Sequence, residues 1–432
     1  MTDTALRPST GREPMNTRPR HHRSLKRRIA MAAAIAGPGL IAANAGNDAG
    51  GIATYASAGA EFGYRTLFLM VLVTVALVLV QEMCARLAAY TGKGLAALIR
   101  EQFSIRLTGF ALSVLMIANF GLVVSEFAGV AAALELLGVS RFISVPIAAV
   151  GVWSLVVFGS YRYAERAFVA MTVGFFAYPI AAVLAHPHWG EAGKQLVLPH
   201  FLAHTSFVTL AVALVGTTIT PYMQFYLSGA IADRAIGPNE YRHERLDTIV
   251  GSVFCNLISM AIIIATAAAI TKRAPLASAA QAAIALEPVA GSFAKELFAF
   301  GLLGASLLAA AVVPLSSSYA IAEAVGAERS VSRSFKQAPL FLGLFSAQIL
   351  VGAMLALIPG DLINLLIKAQ VLNGLITPIL LTYVLILANR RSVLGDAVNG
   401  RVFRIAATIC VVAVALLSAL VVAQTVTNAI GL

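Results

Sequence analysis

Asn44-Ala45-Gly46-Asn47-Asp48-Ala49-Gly50-Gly51 lies in the middle of the first long apolar segment, and it predicts how the rest of the chain is organised. A carboxylate at membrane depth is costly and usually functional. The small residues around Asp48 allow a helix to unwind, which is tolerated at that depth only beside protein or a water-filled cavity. Asp48 with freed backbone carbonyls would form an anionic oxygen site that suits a hard cation. The alternative is a closely packed helix whose aspartate pairs with a neighbour.

The composition places this stretch in a membrane. The chain has 432 residues, of which 59% are hydrophobic and 12% charged, so we predict an all-α polytopic membrane protein. The formal charge of +11 does not indicate a nucleic-acid partner, because most Lys and Arg residues lie in short loops between apolar runs. Cys84, Cys255 and Cys410 lie far apart in apolar runs and match neither a metal-ligand spacing nor a disulfide framework.

About eleven apolar segments are long enough to span a bilayer. They lie at about 30–60, 65–91, 107–138, 142–160, 163–185, 205–233, 246–271, 293–325, 338–358, 362–389 and 403–428. Residues 1–28 are polar and basic without an apolar run and cleavage site, so we predict a disordered cytoplasmic tail and no signal peptide. Residues 29–395 would form the membrane-spanning core, and residues 396–432 would add the eleventh helix. Nothing in the sequence implies an oligomer.

The loop charges predict the orientation of the chain in the cell (inner) membrane. If the chain starts inside and alternates, the cytoplasmic loops carry most of the positive charge. These residues are Lys93, Arg100, Arg106, Arg162, Arg166, Arg234, Arg242, Arg245, Arg329, Arg333, Lys336, Arg390, Arg391, Arg401 and Arg404. The opposite loops carry fewer, such as Arg65, Arg141 and Lys194. We therefore expect a cytoplasmic N-terminus and an extracytoplasmic C-terminus. The outer loop 186–204 holds four histidines, whose irregular spacing matches no metal site.

A second interruption occurs in the sixth segment. A helical run from Thr205 to Ile219 is followed by Thr220-Pro221-Tyr222-Met223, and proline breaks or kinks a helix. Interrupted segments at corresponding places in two halves indicate a transporter's binding site near the bilayer midplane. The first and sixth segments correspond if residues 30–185 and 205–389 are inverted repeats.

The other polar residues in the spans are candidates for a gate or for ion coupling. Gln81, Glu82 and Arg86 lie together, and Glu82 with Arg86 has the i,i+4 spacing of a helical ion pair. Glu126 in the third segment needs a partner or a path to water. Lys368 or Gln370 in the tenth segment could supply that partner.

Several of these stretches resemble the Nramp divalent-metal transporters, over roughly residues 30–395. The resemblance rests on Gly37-Pro38-Gly39, Asp48-Ala49-Gly50-Gly51-Ile52-Ala53-Thr54, Ala58-Gly59-Ala60-Glu61-Phe62-Gly63-Tyr64, Gln81, Ala85-Arg86-Leu87, Thr91-Gly92-Lys93, Gly216-Thr217-Thr218-Ile219-Thr220-Pro221 and Ala369-Gln370-Val371. It implies a LeuT-type fold with two inverted five-helix repeats, discontinuous helices one and six broken at Gly50 and Pro221, and a metal site between them. It also implies a transporter rather than an enzyme, with no cofactor besides the transported metal.

The departures from the family pattern concern the metal. The family's helix-one signature is Asp-Pro-Gly-Asn, and here it is Asp48-Ala49-Gly50-Gly51; the helix-six signature Met-Pro-His is Thr220-Pro221-Tyr222. Losing the thioether removes a preference for soft metals, and the smaller residues widen the cavity. The pattern is similar to the Nramp-related magnesium transporters and predicts Mg²⁺, or else Mn²⁺, bound partly hydrated. The implied substrate residues are Asp48, Gly51, Thr220, Thr217, Asn47 and Gln370.

The same resemblance predicts the absence of tight proton coupling. The family's helix-six histidines are Tyr222 and Leu227 here, and an acid pattern of Glu, Asp and Glu in segment three is Asn119, Glu126 and Gly129. Coupling needs groups that titrate near neutral pH. One alternative is a proton-coupled Mn²⁺ or Fe²⁺ symporter.

Rivals from other classes remain at this stage. A carrier for a small organic solute would share the fold, although an aspartate in the break would repel a substrate carboxylate and not an amine. An intramembrane enzyme would need a nucleophile–base pair or a metal triad in the spans, and the eleven segments contain no histidine. A channel is not excluded by sequence.

Overall fold

The computed structural model describes residues 47–158, 177–199, 202, 204–270, 272–328 and 334–430, with side chains to residue 427. Regular structure in these ranges is helical. The helices are α1 Ala49–Phe62, α2 Leu67–Thr91, α3 Leu95–Gln102, α4 Ile105–Leu136, α5 Arg141–Val157, α6 Ala177–Leu184, α7 Trp189–Val197, α8 Thr205–Thr218, α9 Pro221–Asp233, α10 Tyr241–Ala269, α11 Ala279–Ala283, α12 Glu287–Ala290, α13 Ala294–Val325, α14 Pro339–Ala356, α15 Leu362–Ala388, α16 Arg391–Leu394 and α17 Arg401–Ile430.

The long helices agree with the predicted spans. Eight stretches of the described chain are long and apolar enough to cross a membrane. The bounds of most lie within a few residues of the prediction, as for α4 against 107–138 and α15 against 362–389. Two differ: the stretch Ala49–Thr91 spans the predicted segments 30–60 and 65–91, and Ala279–Val325 begins well before the predicted 293. The basic tail and much of the first and fifth predicted segments lie outside the described residues. The number of spans therefore stays a prediction.

Loops that were predicted to share one side of the membrane contact each other. Arg390 Nη1 donates to the carbonyl of Gln102 at 2.8 Å, joining the loops that flank α15 and α3. At the other end of the bundle, Arg141 Nη1 donates to the carbonyl of Gly360 at 3.4 Å. These contacts fit the predicted alternation of spans. Which end faces the cytoplasm stays a prediction.

Close helix packing positions α15 against α8. A Cβ added at Gly216 would lie 2.1 Å from the carbonyl oxygen of Gln370, and one added at Gly374 would lie 2.2 Å from that of Val212. Helices in membranes approach this closely only where small residues line the contact. The two backbones are therefore in direct contact next to the interruption in the sixth segment.

Candidate metal site at two helix breaks

The first predicted break falls at Asp48, where α1 begins; the residues before Asn47 lie outside the described ranges, and Gly50, the predicted breaking residue, lies in the first turn of α1. The backbone of Asp48 is extended (φ −68°, ψ 177°), and its Oδ1 accepts a hydrogen bond from the amide of Gly51 at 2.6 Å, so α1 begins at Ala49. This is an N-cap, which satisfies an amide that a helix start leaves free. Asp48 is 2% exposed, and its Oδ2 has no hydrogen-bond partner in the described structure. Gly51 thus contributes an amide to the cap.

A second carboxylate meets the same helix end. Glu126 of α4 is fully buried, and its Oε2 accepts from the amide of Ala49 at 3.4 Å, while Oε1 lacks a partner among the described residues. The start of a helix carries partial positive charge, which favours an anion there. The sequence suggested Lys368 or Gln370 as a partner for Glu126. The prediction of Lys368 was wrong, and Gln370 donates to Asp48 instead. Lys368 lies on the exposed side of α15 and forms no ion pair with Glu126.

Gln370 of α15 completes the contacts at the first break. Its Nε2 donates to Asp48 Oδ1 at 3.4 Å, and its Oε1 is buried without a partner in the described chain. A Cβ added at Gly50 would lie 2.0 Å from Gln370 Nε2, so only glycine leaves room for the amide there. The structure therefore brings together three residues predicted from sequence, which are Asp48, Gly51 and Gln370.

The second break separates α8 from α9. Ile219 leaves the helical conformation (φ −114°, ψ 54°), Thr220 is extended (φ −65°, ψ 134°), and Pro221 begins α9. Proline suits that first position because the amide it lacks would have no partner there. The side chain of Thr220 makes no cap hydrogen bond. The predicted discontinuity of the sixth segment is confirmed.

One face of α15 holds the carbonyls that the second break exposes. Asn373 Nδ2 donates to the carbonyl of Gly216 at 2.7 Å, and Thr377 Oγ1 donates to that of Ile219 at 3.3 Å. Gln370, Asn373 and Thr377 are spaced i, i+3 and i+7, which places them on one face of the helix. Sequence analysis missed Asn373 and Thr377, and this spacing was the available signal.

Further side chains join the broken helices to their neighbours. The hydroxyls of Tyr55 on α1 and Thr218 on α8 lie 3.0 Å apart, which links the two interrupted segments directly. Asn47 Oδ1 accepts from the hydroxyl of Ser259 on α10 at 3.1 Å, and its Nδ2 has no partner in the described part. Tyr222 is fully buried in the first turn of α9.

Five residues at or next to the two helix breaks each carry an oxygen atom without a partner in the described structure. Each is buried and makes no hydrogen bond within the described residues. They are Asp48 Oδ2, Glu126 Oε1, Thr217 Oγ1, Thr220 Oγ1 and Gln370 Oε1. Buried polar groups normally have partners, so each of these atoms could accept from water or bind a ligand. The set contains carboxylate, amide and hydroxyl oxygens, which are the donors that hard cations prefer.

Gln81 of α2 lies in a neighbouring polar layer. It accepts from the Ser252 hydroxyl on α10 at 3.1 Å, and its Nε2 is 4.0 Å from the sulfur of Met223. Thr248, Ser252 and Asn256 are buried and spaced four residues apart, so they form a polar stripe on one face of α10. This layer connects α2, α9 and α10.

The predicted ion pair of α2 is present. Arg86 Nη2 is 3.1 Å from Glu82 Oε2, and Arg245 Nε is 3.6 Å from Glu82 Oε1. The hydroxyl of Tyr241 donates to the same carboxylate, and Arg86 donates to the carbonyl of Ala397 at 3.2 Å. The pair thus ties α2 to the start of α10 and to the turn before α17. Sequence analysis did not anticipate Tyr241 or Arg245 there.

Asn119 and Gly129 of α4 form neutral contacts with neighbouring helices. Asn119 Nδ2 donates to the hydroxyls of Ser316 at 3.2 Å and Ser317 at 2.6 Å on α13. A Cβ added at Gly129 would lie 2.3 Å from Ala49 Cβ and 2.4 Å from Ser306 Oγ. These positions pack α4 against α13 and against the start of α1.

The histidine loop lines a separate cavity. His186 and His188 border a space of about 430 Å³ together with Glu61, Glu191 and Arg273. In the described ranges, no three His, Cys, Asp or Glu side chains are arranged to hold a metal ion, and His200 lies outside those ranges.

Comparison with known proteins agrees with this geometry. The chain is 26% identical over 391 residues to the divalent metal cation transporter MntH of Acidiphilium cryptum, covering 84% of each chain. It is 28% identical over 392 residues to the divalent metal cation transporter MntH 1 of Pseudomonas aeruginosa, covering 84% of this chain and 85% of that one.

Two solved structures share the fold. A crystal structure of the Eremococcus coleocola manganese transporter superposes with a TM-score of 0.77 at 20% identity, covering 96% of this chain and 90% of that one. Mhp1, a nucleobase-cation-symport-1 family transporter, gives a TM-score of 0.51 at 16% identity, covering 91% and 93%. These matches confirm the predicted LeuT-type, all-α membrane fold.

A family model described as natural resistance-associated macrophage protein-like, or Nramp, matches residues 39–424. This range includes both helix breaks and all of α15. The chain therefore belongs to the Nramp family, whose members are membrane transporters and not enzymes.

Proposed function

We propose that this protein imports a divalent metal cation, with Mg²⁺ as the preferred substrate, by alternating access. The observation that carries the proposal is the set of buried, unpartnered oxygens at the two helix breaks. The relatives named divalent metal cation transporters support the substrate class. The choice of Mg²⁺ rests on the chemistry of the donor set.

The donors are hard. Asp48 supplies a carboxylate, Gln370 an amide oxygen, and Thr217 and Thr220 supply hydroxyls. Mg²⁺ prefers oxygen ligands in octahedral geometry and keeps several of its waters, whereas a thioether favours softer metals. The methionine of the family's helix-six signature is Thr220 here. The nearby sulfur of Met223 contacts Gln81 instead.

The charge of the site also suits a dication. Asp48 and Glu126 are both buried at the start of α1. A buried anion without a compensating partner is strongly unfavourable, and hydrogen bonds to amides offset only part of that cost. A bound divalent cation beside Asp48 would supply the missing compensation, with waters filling the space left by the small side chains at Gly51 and Thr220.

We propose further that import proceeds without tight proton coupling. An inside-negative potential of 100 mV contributes about 4.6 kcal/mol for a divalent ion, at about 2.3 kcal/mol per charge. That is sufficient to drive uptake without a second ion. The neutral contacts of Asn119 and the close packing at Gly129 support this proposal, because neither position can carry a proton.

A proton-coupled Mn²⁺ carrier is the second candidate. Two observations favour it: the similar solved structures are named manganese transporters, and Glu126 contacts the helix that begins at the site. A buried acid next to a metal site is a suitable proton acceptor. The two candidates predict different ion movements, so they can be separated in one assay.

The test uses the purified full-length chain in proteoliposomes with a clamped membrane potential and a pH-sensitive dye inside. Mg²⁺, Mn²⁺, Ca²⁺ or alanine is added outside, and protein-free vesicles serve as the control. We expect Mg²⁺ uptake that follows the potential without acidification of the lumen. Metal-dependent acidification would favour the proton-coupled carrier, and uptake of alanine alone would overturn metal transport altogether.

A further inference from the structure

A groove on the outside of the helix bundle lies between α4, the end of α14 and the start of α15. Two adjoining cavities of about 560 and 410 Å³ lie on this face, and some residues line both of them. The shared residues are Val124, Leu355, Leu365 and Lys368. The larger cavity is bordered otherwise by apolar side chains such as Met116 and Phe120.

Lys368 is unusual in this setting. It lies in a helix apolar enough to span the membrane, yet its side chain is exposed on the outside of the bundle. No ion pair in the described chain includes it. A lysine facing lipid is costly unless its amine reaches the polar interface or meets an anion.

Lys368 lies near the start of α15. It follows Leu362, the first residue of the helix, by six positions, which corresponds to about 9 Å of helix rise. A lysine side chain can extend toward the helix end from there. Asp361 borders the second cavity, but its Oδ1 accepts from the amide of Asn364 and caps α15.

We propose that this groove binds an anionic phospholipid, with its phosphate on the Lys368 amine and an acyl chain along the apolar lining. The elongated apolar space fits a hydrocarbon chain, and the single cation at its end fits a phosphate. The groove touches the two helices that carry Glu126 and Gln370. Leu372, on the groove side of α15, would lie 3.2 Å from a Cβ added at Gly121 of α4. A lipid in the groove would therefore bear on the contact between α4 and α15.

The test measures the thermal unfolding midpoint of the purified full-length protein in detergent during titration with phosphatidylglycerol or phosphatidylcholine. We expect phosphatidylglycerol to raise the unfolding midpoint at a lower concentration than phosphatidylcholine does. Lys368→Met should raise the phosphatidylglycerol concentration for a half-maximal shift about fivefold. Lys295→Met removes an equal charge from an exposed position outside the groove and should leave it unchanged.

Two further arms make the outcome decisive. Ile117→Trp, which fills the larger cavity, should weaken the effect of both lipids while Lys368 is retained. Glycerol phosphate, which has the headgroup chemistry without acyl chains, should produce no shift. The proposal is overturned if Lys368→Met keeps the phosphatidylglycerol preference, if Lys295→Met loses it equally, or if glycerol phosphate alone reproduces the shift.

Discussion

The helix starts at the two breaks, Ala49 and Pro221, differ in how their backbone groups are satisfied. At the first, the carboxylates of Asp48 and Glu126 bind amides at the start of α1. At the second, Pro221 has no amide to satisfy and the side chain of Thr220 caps nothing. The first break therefore concentrates negative charge, whereas the second contributes neutral oxygens.

The carbonyls exposed at the second break are also held by neutral groups. Asn373 and Thr377 of α15 bind the carbonyls of Gly216 and Ile219, while Gln370 on the same face reaches Asp48. One helix thus contacts both breaks. The comparison indicates that charge and geometry are supplied separately: the first break carries the negative charge that would attract a cation under the proposed function, and α15 contacts both breaks.

Removal of the charge at the first break should have the largest effect. Asp48→Asn keeps an oxygen that can cap α1, so the helix start should survive while the anion is lost. We expect the initial rate of Mg²⁺ uptake to fall at least about a hundredfold, since interactions of charged groups in buried sites reach about 3 kcal/mol. Radiotracer or dye-based uptake into proteoliposomes measures this.

The matched control is Asp361→Asn. Asp361 caps α15 through the amide of Asn364, as Asp48 caps α1 through Gly51, but it lies at the exposed end of its helix. Its replacement should leave uptake within about twofold of the original protein. Normal Mg²⁺ uptake by Asp48→Asn would falsify the assignment of the site.

A methyl group at the contact between α8 and α15 should have the next largest effect. In Gly216→Ala the new Cβ would meet the backbone oxygen of Gln370, which cannot swing away. We expect a loss of stability of about 1–3 kcal/mol and slower uptake. Gly343→Ala on α14, where a Cβ meets nothing within 4 Å, should be neutral or slightly stabilising. Thermal unfolding in detergent compares them, and equal midpoints would show that the close contact is unimportant.

Restoring the family's ligands should change selectivity more than rate. Gly51→Asn combined with Thr220→Met narrows the space between the breaks and adds a soft thioether. We expect Mg²⁺ uptake to weaken and the preference to move toward Mn²⁺ or Cd²⁺, by roughly tenfold in the ratio of rates. Competition uptake with paired metals measures the ratio. An unchanged ratio would mean that other residues choose the metal.

The smallest change is expected from the second carboxylate. Glu126→Gln keeps an oxygen for the amide of Ala49, so we expect Mg²⁺ uptake to fall only about fivefold. Glu135→Gln, on the same helix in an exposed pair with Arg141, is the control and should change uptake less. A pH-sensitive dye in the vesicles should report no acidification for any of the three proteins. If the vesicle lumen acidifies during uptake by the original protein but not by Glu126→Gln, Glu126 would be identified as a proton-coupling residue.

Much of the fold could be predicted because hydrophobic length and helix-breaking residues are local signals. The spans and the interruption at Thr220-Pro221 follow from runs of apolar residues and from the chemistry of proline. The packing of α15 against α8 could not be predicted in this way. It depends on which glycine faces which backbone, as Gly216 and Gln370 do, and a single sequence does not contain that information.

The site was predicted in part for the same reason. Asp48 and Gln370 were identified because polar groups in a span are expensive, and the structure brings them together. Glu126 was recognised as significant, but its partner was sought in the side chains of Lys368 or Gln370, whereas the structure gives it a backbone amide. Backbone amides at a helix start have no side-chain signature. Asn373 and Thr377 were overlooked because neutral polar residues in spans are common packing groups.

The close contact of Gly129 with Ala49 and Ser306 also bears on how this protein can evolve. A side chain at position 129 would collide with both neighbours at once, so a single substitution to a carboxylate would force both to move. Space would first have to be made on α1 and on α13, through changes that bring no benefit alone. A carboxylate at position 129 is therefore difficult to acquire without rebuilding the contact of α4 with both helices.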